Sequence, residues 1–251
     1  MPTDMPNKIS DNLTLLQNKA RELFQIELSL KQLDQFAAFT ALLLEWNERI
    51  NLTAITELDD IMIKHFLDSL VFYKWIKAHS DEKNVLLADL GSGAGFPGIP
   101  LKIMFPEMRI VLIDSLGKRI NFLNVVREEL GLKNLETCHA RAEDIGRDPE
   151  YRQKFDIVVA RAVAELPILL EYASPLLKVG GRLLAAKGQN VETEVAVSRR
   201  ALDELNCEID KIEKYILAEN ADNRSLVIVL KNGDTPQKYP RQAGKPKKNP
   251  L

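Results

Sequence analysis

The sequence contains few of the residues that would indicate a secreted or metal-binding protein. It has only two cysteines, Cys138 and Cys207, which lie far apart in segments that resemble strands, so free thiols are favoured over a disulfide. The three histidines, His65, His79 and His139, do not have the spacing of metal ligands. No metal site is therefore predicted.

Long apolar runs are also missing. The opening stretch "MPTDMPNKISDN" has neither a basic segment nor an apolar run of signal-peptide length, and "FAAFTALLLEW" is too short and too interrupted to span a bilayer. These features predict a soluble cytoplasmic protein without a membrane partner. The 251 residues are 45% hydrophobic and 28% charged, which is enough apolar material for one large domain or for a domain with a smaller attachment.

The formal net charge of -2 is unevenly distributed along the chain. Residues 231–251 carry six cationic side chains and one anionic side chain, so this segment has a charge of +5 and residues 1–230 sum to -7. A basic, Pro-containing segment is either a solvated tail that maintains solubility or an arm that contacts phosphates. Composition alone leaves both interpretations open.

The first third of the chain has the pattern of helices. Over residues 1–80, apolar side chains recur at the 3.6-residue spacing of amphipathic helices. Ser29 is placed to cap the second helix, "NERINLTAIT" interrupts the pattern, and a third helix fits residues 59–77. The sequence therefore predicts a helical N-terminal extension or cap over residues 1–80.

From Val85 onward, short apolar runs alternate with amphipathic helices, which is typical of a parallel, doubly wound α/β sheet. We expect this domain to cover residues 81–234, with a basic C-terminal tail at residues 235–251. Two later runs, 208–217 and 225–231, suit an antiparallel pair that closes the sheet edge. The predicted strands are 85–90, 109–114, 134–139, 155–160 and 182–187, and the predicted helices are about 98–105, 117–130, 165–178 and 190–204.

The loop "DLGSGAGFPGIP" at residues 89–100 follows the first predicted strand and opens the first crossover helix. Ligands bind at the carboxyl ends of strands in open α/β sheets, and glycine permits a positive φ and a close approach of the backbone. Gly91 and Gly93 match the dinucleotide fingerprint, but Phe96 occupies the position of its last glycine. The loop therefore predicts a nucleotide-like cofactor.

Two carboxylates help to distinguish the possible cofactors. Asp114 ends the second predicted strand, where it can accept hydrogen bonds from ribose hydroxyls in sites for either NAD or S-adenosylmethionine. Asp89 precedes Gly91 by two positions, and its charge opposes a pyrophosphate but suits the ammonium and sulfonium of S-adenosylmethionine. The alternative for Asp89 is a strand-end acid that is hydrogen-bonded to loop amides. A methyl donor is favoured over a dinucleotide.

From about residue 40 to the C-terminus, the chain resembles the bacterial small-subunit rRNA guanine-N7 methyltransferases, a family called RsmG or glucose-inhibited division protein B. The matching segments are "NLT" (51–53), "HFLDS" (65–69), "DLGSGAGFPGIPL" (89–101), "DSLGKR" (114–119), "ARAVA" (160–164), "AAKG" (185–188) and the terminal "YPRQAGKP". The resemblance implies a class I S-adenosylmethionine-dependent methyltransferase fold, which is Rossmann-like with a mostly parallel seven-stranded sheet. It also implies methylation of guanine N7 in 16S rRNA, supplied as naked RNA, as a small subunit or as an assembly intermediate.

The resemblance implies roles for individual residues. Arg161, at the end of the fourth predicted strand, would border both the cofactor and the target base, and it is the predicted catalytic residue. The predicted cofactor-binding residues are Asp89, Gly91, Ser92, Gly93, Gly95, Phe96, Asp114, Ser115, Leu116, Ala142, Glu143 and Arg161. The predicted RNA-binding residues are Lys118, Arg119, Lys187, Lys245, Lys247 and Lys248.

Several of these residues also have purely structural explanations. Phe96 could belong to the core, Glu143 could be an acid at a helix N-terminus, and Arg161 could form a surface ion pair. His65 and Asp68 share a helix face and could form a structural pair between the extension and the sheet.

Guanine N7 carries a lone pair and no proton, so its methylation requires alignment rather than a general base. The chain lacks the cysteine contexts of cytosine C5 methylases, and "ARAVA" stands where exocyclic-amine methylases carry a Pro-Pro-aromatic motif. Two other functions remain open at this point, an NAD-dependent oxidoreductase and a non-catalytic RNA-binding module with the same fold.

Overall fold

A computed structural model describes residues 5–218 and 223–251 of the chain. It begins with two long helices, α1 (Met5–Phe24) and α2 (Leu30–Ile50). Ser29 and Gln32 form a reciprocal capping box at the start of α2, which confirms the predicted cap. Helix α2 ends at Asn51, which adopts a left-handed conformation with φ of 48°.

The third helical segment is irregular. It consists of α3 (Leu58–Asp60), a π-helical stretch (Ile61–Leu67) and α4 (Asp68–His79), followed by a short 3-10 turn (Glu82–Asn84). The sequence predicted one regular helix over residues 59–77. A π-helical stretch changes the direction in which carbonyls and side chains point, and such stretches are frequent at functional sites.

A seven-stranded sheet follows, with the strand order β3-β2-β1-β4-β5-β7-β6. The strands are β1 (Leu86–Leu90), β2 (Arg109–Asp114), β3 (Leu135–His139), β4 (Phe155–Arg161), β5 (Leu177–Lys187), β6 (Cys207–Tyr215) and β7 (Arg224–Lys231). Strands β1 to β5 are joined by parallel pairings, whereas β7 lies between β5 and β6 and is antiparallel to both. The predicted mostly parallel α/β sheet is therefore confirmed.

Four helices were predicted in the rest of the chain, and the structure adds two short ones, α7 and α11, that were not. They are α5 (Gly98–Met104), α6 (Gly117–Glu129), α7 (Ala142–Ile145), α8 (Leu166–Ala173), α9 (Val191–Val197), α10 (Arg199–Glu204) and α11 (Lys245–Lys248). Helix α8 is shorter than the predicted 165–178 because β5 begins at Leu177. The predicted helix 190–204 is divided at Ser198.

The N-terminal helices share a hydrophobic core with one face of the sheet. Phe39 from α2 and Phe66 from the π-helical stretch contact Phe96 of the glycine loop, with ring centroids 5.2 and 5.8 Å away. Phe122 of α6 joins the same cluster. A second core, on the other face, includes residues of α8 and α10. The extension therefore packs directly against the loop that follows β1.

The basic C-terminal segment, residues 235–251, is packed against the domain. Tyr239 is almost completely buried, and Arg241 forms an ion pair with the buried Glu171. Arg152 donates hydrogen bonds to the backbone carbonyls of Thr235 and Tyr239. The interpretation of this segment as a freely solvated tail was therefore wrong, because buried partners hold both its backbone and its side chains.

Within the described ranges, no helix is long and apolar enough to cross a membrane. The same residues contain no group of three or more His, Cys, Asp or Glu side chains that could hold a metal ion. Both cysteines are free thiols, with Cys207 buried and Cys138 half-buried.

Candidate active site at the carboxyl ends of the strands

The glycine loop sits at the carboxyl end of β1 and is hydrogen-bonded to the neighbouring strand. The amides of Gly91 and Ser92 donate to the carbonyl of Ile113 in β2, at 2.8 and 3.0 Å. Gly91, Gly93 and Gly95 all have positive φ values, of 75°, 58° and 94°. The backbone path itself therefore favours glycine at these three positions.

Two of these glycines differ in the space around them. A Cβ atom on Gly91 would lie 2.8 Å from Val163 Cγ2, which is closer than such atoms can approach without a shift. A Cβ atom on Gly93 would meet nothing nearer than a backbone oxygen at 3.9 Å. Gly91 is therefore required both by its conformation and by its neighbour.

Gly95 and Gly98 are required by packing inside the protein. A Cβ atom on Gly95 would lie 2.7 Å from Ile99, and one on Gly98 would lie 2.3 Å from Leu112 and 2.5 Å from Asp89 Oδ2. Gly98 has no positive φ and was not among the predicted site residues, because the fingerprint pattern does not include it. Much of the bare backbone in this loop therefore serves the protein's own packing.

A cavity of about 440 Å³ lies beside the loop, within the size range of small-molecule sites. The predicted cofactor residues that line it are Gly91, Asp114, Ser115, Ala142 and Glu143, and the predicted RNA-binding residues that line it are Arg119 and Lys247. Sequence reasoning missed the other lining residues, which include Arg141, Val163, Tyr172 and Gly244. Of these, Val163 stands within the matching segment "ARAVA" and Gly244 within "YPRQAGKP", so the resemblance was the available signal for both.

Asp114 joins two loops at the wall of this cavity. Its Oδ2 accepts a hydrogen bond from the amide of Gly93 at 2.9 Å, and its Oδ1 accepts one from the amide of Leu116 at 2.8 Å. Arg119 Nη1 lies 3.4 Å from Oδ2. The carboxylate therefore fixes the loops after β1 and β2 relative to each other, while Leu116 itself is 42% exposed and does not line the cavity.

Glu143, in the first turn of α7, is buried at the same cavity. Its Oε1 accepts hydrogen bonds from the amide of Gly244 at 2.8 Å and from the hydroxyl of Tyr172 at 3.3 Å. Burial, together with the nearby Glu143 carboxylate, raises the pKa of Tyr172 to about 12. Glu143 therefore connects α7, α8 and the C-terminal segment. An acid that only stabilised the N-terminus of its own helix would not need these contacts.

Asp89 lies beneath the loop and is completely buried. Its Oδ2 accepts a hydrogen bond from the amide of Gly98 at 3.0 Å, and within the described part of the chain its Oδ1 has no hydrogen-bond partner. Burial raises the pKa of this carboxyl group to about 7. These contacts fit the alternative of a strand-end acid bonded to a loop amide. Ser92 donates to the carbonyl of Asp89 and is also buried.

Phe96 belongs to the core, as its structural explanation proposed. Its ring is 4% exposed and stacks on the imidazole of His65, with centroids 4.4 Å apart and an interplanar angle of 16°. The guanidinium carbon of Arg161 lies over the ring, 5.1 Å from its centroid, in a cation-π contact. Phe96 therefore supports the groups at the end of β4 and does not line the cavity beside the loop.

Arg161 is fixed by three groups from the N-terminal part of the chain. Its Nη1 lies 3.1 Å from Asp68 Oδ2 and donates to the carbonyl of Lys64 at 2.9 Å, while its Nη2 lies 3.0 Å from Nδ1 of His65. Because a guanidinium only donates, Nδ1 accepts, and Nε2 of a neutral His65 can donate to Thr53 Oγ1 at 2.9 Å. Burial and the charge of Arg161 lower the pKa of His65 to about 3.

Asp68 is the common acceptor of this cluster and is fully buried. Its Oδ2 also accepts a hydrogen bond from Arg224 Nη1 at 3.0 Å, and its Oδ1 accepts one from the hydroxyl of Tyr215 at 2.9 Å. Burial raises the pKa of Tyr215, and the neighbouring carboxylate adds to this effect. Sequence reasoning left the role of Asp68 open, and it missed Tyr215 and Arg224, which lie in no recognisable motif.

A second cavity, of about 390 Å³, lies on the other side of Ala162 and Val163, since both cavities share these two residues. Arg161 lines this second cavity together with Glu165, Lys187, Glu194 and Arg224. Ala162 has a left-handed conformation with φ of 56°, which is uncommon for a residue other than glycine. The residues that separate the cavities therefore follow an unusual backbone path.

Lys187 stabilises the backbone that follows β4. Its contacts do not agree with its predicted role in RNA binding. Its side chain is 7% exposed, and its Nζ lies 2.7 Å from Glu194 and donates to the carbonyl of Ala164 at 2.7 Å. Glu194 also accepts a hydrogen bond from the amide of Leu166, at the start of α8. Because its charge is paired inside the protein, Lys187 is not available to contact phosphates as an exposed cation would be.

Of the other predicted RNA-binding residues, Arg119 and Lys247 line the cavity beside the loop. Lys118 is exposed in the first turn of α6, and Arg119 is half-buried beside Asp114. Lys245, Lys247 and Lys248 are exposed on α11.

Comparisons with known proteins agree with this arrangement. A family model described as rRNA small subunit methyltransferase G matches residues 32–226. A ribosomal RNA small subunit methyltransferase G from Desulfitobacterium hafniense (strain Y51) is 49% identical over 243 residues, which cover 97% of this chain and 99% of that relative. A protein of the same name from Acetivibrio thermocellus is 50% identical over 228 residues, covering 91% of this chain and 92% of the relative.

Solved structures show the same fold at low sequence identity. An S-adenosylmethionine-dependent methyltransferase from Aquifex aeolicus has a TM-score of 0.51 and 17% identity, over 65% of this chain and 92% of that one. A 16S rRNA (adenine(1408)-N(1))-methyltransferase from Catenulisporales acidiphilia has a TM-score of 0.51 and 16% identity, over 64% and 91% of the two chains. At such identities the likeness concerns the fold alone.

Proposed function

The chain belongs to the rRNA small subunit methyltransferase G family, and from this membership we propose that it transfers the methyl group of S-adenosylmethionine to N7 of a guanine in 16S rRNA. One observation carries the proposal beyond the family name. The cavity beside Gly91 and the cavity lined by Arg161 are adjacent and share Ala162 and Val163. A cofactor and a base can therefore occupy neighbouring sites at the ends of β1 and β4.

The residues around the first cavity fit S-adenosylmethionine. Gly91 presents bare backbone, the carboxylates of Asp114 and Glu143 line the wall, and Asp89 is buried beneath the loop, where its Oδ1 has no hydrogen-bond partner among the described residues. The two wall carboxylates, joined by Asp89 when the pH is above its pKa of about 7, suit a cofactor that carries an ammonium and a sulfonium. The cavity volume of about 440 Å³ is adequate for a ligand of this size class.

A dinucleotide fits this site less well. Its pyrophosphate would need the amides at the start of the crossover helix. The amide of Gly98, the first residue of α5, instead donates to Asp89 Oδ2. A buried carboxylate at this position favours a cationic group over a phosphate.

The reaction places modest demands on the chain. S-adenosylmethionine supplies an electrophilic methyl group, and guanine N7 offers a lone pair without a proton to remove. The protein therefore has to orient the base and exclude water. Arg161 is held rigidly by Asp68, His65 and the carbonyl of Lys64, so its charged plane is in place before a base arrives. We assign Arg161 as the residue that contacts the target guanine.

RNA binding is assigned to the exposed cations near the cavity. The exposure of Lys118, Lys245, Lys247 and Lys248, and the position of Arg119 and Lys247 on the cavity wall, support contacts between these side chains and RNA phosphates. Unpaired bases that can be splayed out are the usual targets of such sites. The substrate is 16S rRNA, either naked or within a small subunit or its assembly intermediate, and the place of action is the bacterial cytoplasm, where this RNA is found.

The direct test uses tritiated S-adenosylmethionine and 16S rRNA from cells that lack the gene, followed by digestion and nucleoside analysis. We expect the label in 7-methylguanosine. Label in a different nucleoside would overturn the N7 assignment, and RNA binding without any label would indicate a non-catalytic module. Tight NADH binding with a nicotinamide absorbance change would indicate an oxidoreductase.

A further inference from the structure

The C-terminal segment, residues 235–251, reaches the wall of the first cavity. The amide of Gly244 donates a hydrogen bond to Glu143 Oε1 at 2.8 Å, and both Gly244 and Lys247 line the cavity. Gly244 has φ of 80°, and a Cβ atom there would meet no atom within 4 Å. Glycine is therefore favoured at residue 244 by the conformation of the backbone and not by a close neighbour. This conformation directs the amide toward Glu143.

An ion pair anchors the segment immediately before Gly244. The guanidinium of Arg241 makes two close contacts with the carboxylate of Glu171, 2.9 Å from Nε to Oε1 and 2.6 Å from Nη2 to Oε2. The backbone amide of Arg241 also donates to Oε1, at 2.7 Å. Glu171 is fully buried in α8, so this pair is a strong attachment with both of its oxygens satisfied.

A second attachment connects the segment to α7. The guanidinium of Arg152 donates hydrogen bonds of 2.8 Å to the carbonyls of Thr235, Tyr239 and Gly146. Gly146 directly follows α7, the helix that carries Glu143. The same arginine therefore holds the C-terminal segment and one end of α7 together.

Glu143 depends on this packing. The carboxylate is buried, and the donors to its Oε1 are the amide of Gly244 and the hydroxyl of Tyr172. A buried carboxylate that loses a donor is left with an uncompensated desolvation cost and tends to reorient. Removing Gly244 from its place would therefore disturb the wall of the cavity as well as the segment.

We propose that the C-terminal segment is a structural part of the cofactor site, in which Gly244 positions the Glu143 carboxylate and Arg241 positions Gly244. Docking of the segment and binding of the cofactor then strengthen each other, because coupling between two binding events is reciprocal. This inference rests on the proposed function, since it takes the first cavity as the site of S-adenosylmethionine. It gives the basic segment a role at the cofactor in addition to any contact with phosphates.

Hydrogen exchange of the full, unmodified chain tests the coupling without any substitution. The measurement is the exchange rate of the Gly244 amide with and without saturating S-adenosylhomocysteine, the product that remains when S-adenosylmethionine has given up its methyl group. We expect exchange to slow by roughly tenfold in the presence of the ligand. The amide of Gly131, which is bonded to Glu128 at the end of α6, serves as an internal control that should not change. Unchanged exchange at Gly244 with ligand bound would overturn the proposal.

A pair of substitutions tests the direction from segment to cofactor. Arg241→Lys keeps the charge but loses the two-pronged contact with Glu171, and we expect it to weaken S-adenosylhomocysteine binding by roughly tenfold. Lys238→Met is the matched control, because Lys238 lies in the same segment but its Nζ contacts Glu204. Its affinity should stay within roughly twofold of the unmodified chain.

The outcomes separate this inference from the proposed function. If Arg241→Lys binds the ligand as tightly as the unmodified chain, then the segment does not shape the site and the inference fails while the function stands. If the unmodified chain does not bind S-adenosylhomocysteine at all, the proposed function fails. Thermal unfolding of each variant shows whether a loss of binding reflects loss of the fold, and the exchange measurement does not depend on that answer.

Discussion

The Cβ atom that Gly91 lacks would collide with Val163, whereas the one that Gly93 lacks would make only an ordinary contact, 3.9 Å from a backbone oxygen. Both residues have positive φ, so both alanine variants incur the same kind of backbone cost, about 1–2 kcal/mol. Comparing the alanine variants of Gly91 and Gly93 therefore separates the effect of backbone strain from the effect of displacing Val163, which lies between the two cavities.

We expect Gly91→Ala to weaken S-adenosylhomocysteine binding roughly tenfold more than Gly93→Ala, as measured by titration calorimetry. Adding Val163→Ala to the Gly91→Ala variant should restore part of the affinity, because it removes the contacting methyl groups. Equal losses in the two single variants would show that Val163 is irrelevant to the cofactor site.

Asp89 links the stability of the protein to pH. Its pKa is raised to about 7 in the folded protein from an ordinary value of 3.8, so the folded state holds a proton that the unfolded state releases. This stabilisation is fully present below the pKa that Asp89 has in the unfolded state. It is lost as the pH rises from there through about 7, and the free energy of unfolding falls by up to about 1.4 kcal/mol per pH unit.

Asp89→Asn removes this titration. The free energy of unfolding of the variant should exceed that of the unmodified chain by more at about pH 8 than at about pH 5. Urea unfolding of both proteins at both pH values measures this difference. The same variant should bind S-adenosylhomocysteine more weakly, because a neutral amide attracts the ammonium less. A stability difference that is the same at both pH values would mean that Asp89 titrates normally.

At the scale of secondary-structure elements, Asp68 joins four parts of the chain. It sits directly after the π-helical stretch and accepts hydrogen bonds from β4, β6 and β7 through Arg161, Tyr215 and Arg224. A buried carboxylate with three donors is stable only while its partners remain, because breaking such a pair leaves a buried charge. The cluster therefore attaches the N-terminal helices to the end of β4.

Arg161→Lys tests whether the geometry at the end of β4 matters beyond its charge. A lysine cannot bond Asp68, His65 and a backbone carbonyl at once, so we expect single-turnover methyl transfer at saturating RNA to fall by roughly tenfold or more. Tyr215→Phe removes one hydrogen bond from the same carboxylate and should lower the free energy of unfolding by about 1 kcal/mol. It should reduce the rate of methyl transfer much less than Arg161→Lys does. Transfer by Arg161→Lys at the unmodified rate would remove Arg161 from the active site.

Element positions were largely predictable because apolar runs and helical spacing are local properties. Side-chain contacts across the site were less so. "HFLDS" and "ARAVA" were both noted, but Asp68 and Arg161 are 93 residues apart, and no local pattern shows that they meet. The π-helical stretch was not predicted because its residues have the spacing of an ordinary helix. The contact of Glu143 with Gly244 spans 101 residues and was missed for the same reason.

For the molecule as a whole, net charge is a poor guide to RNA binding because individual cations differ in availability. Lys118 is exposed near the cavity, whereas Lys187 is paired with Glu194 inside the protein. The packed C-terminal segment shows the same limit of composition. Its basic, Pro-containing sequence is compatible with a solvated tail, and only the buried Glu171 and the carbonyl contacts of Arg152 reveal its packing.

The salt dependence of RNA binding should distinguish the two lysines. Lys118→Gln should reduce the slope of log affinity against log salt by about 0.7, the value for one phosphate contact on single-stranded RNA. Lys187→Gln should leave the slope unchanged and lower the melting temperature, because it leaves Glu194 without its cation. A reduced slope for Lys187→Gln would return that residue to the RNA-binding surface.

Methyl transfer to guanine N7 at this site requires the N7 lone pair and no proton transfer, and replacing that nitrogen tests this directly. Transcripts of 16S rRNA in which 7-deazaguanosine replaces guanosine keep the base-pairing edge but lack the accepting nitrogen. Single-turnover transfer of the tritiated methyl group should be compared on both transcripts, as naked RNA and as reconstituted small subunits. We expect transfer to the guanosine transcript, no transfer above background to the deaza transcript, and similar binding of both. Transfer to the deaza transcript at the ordinary rate would contradict it.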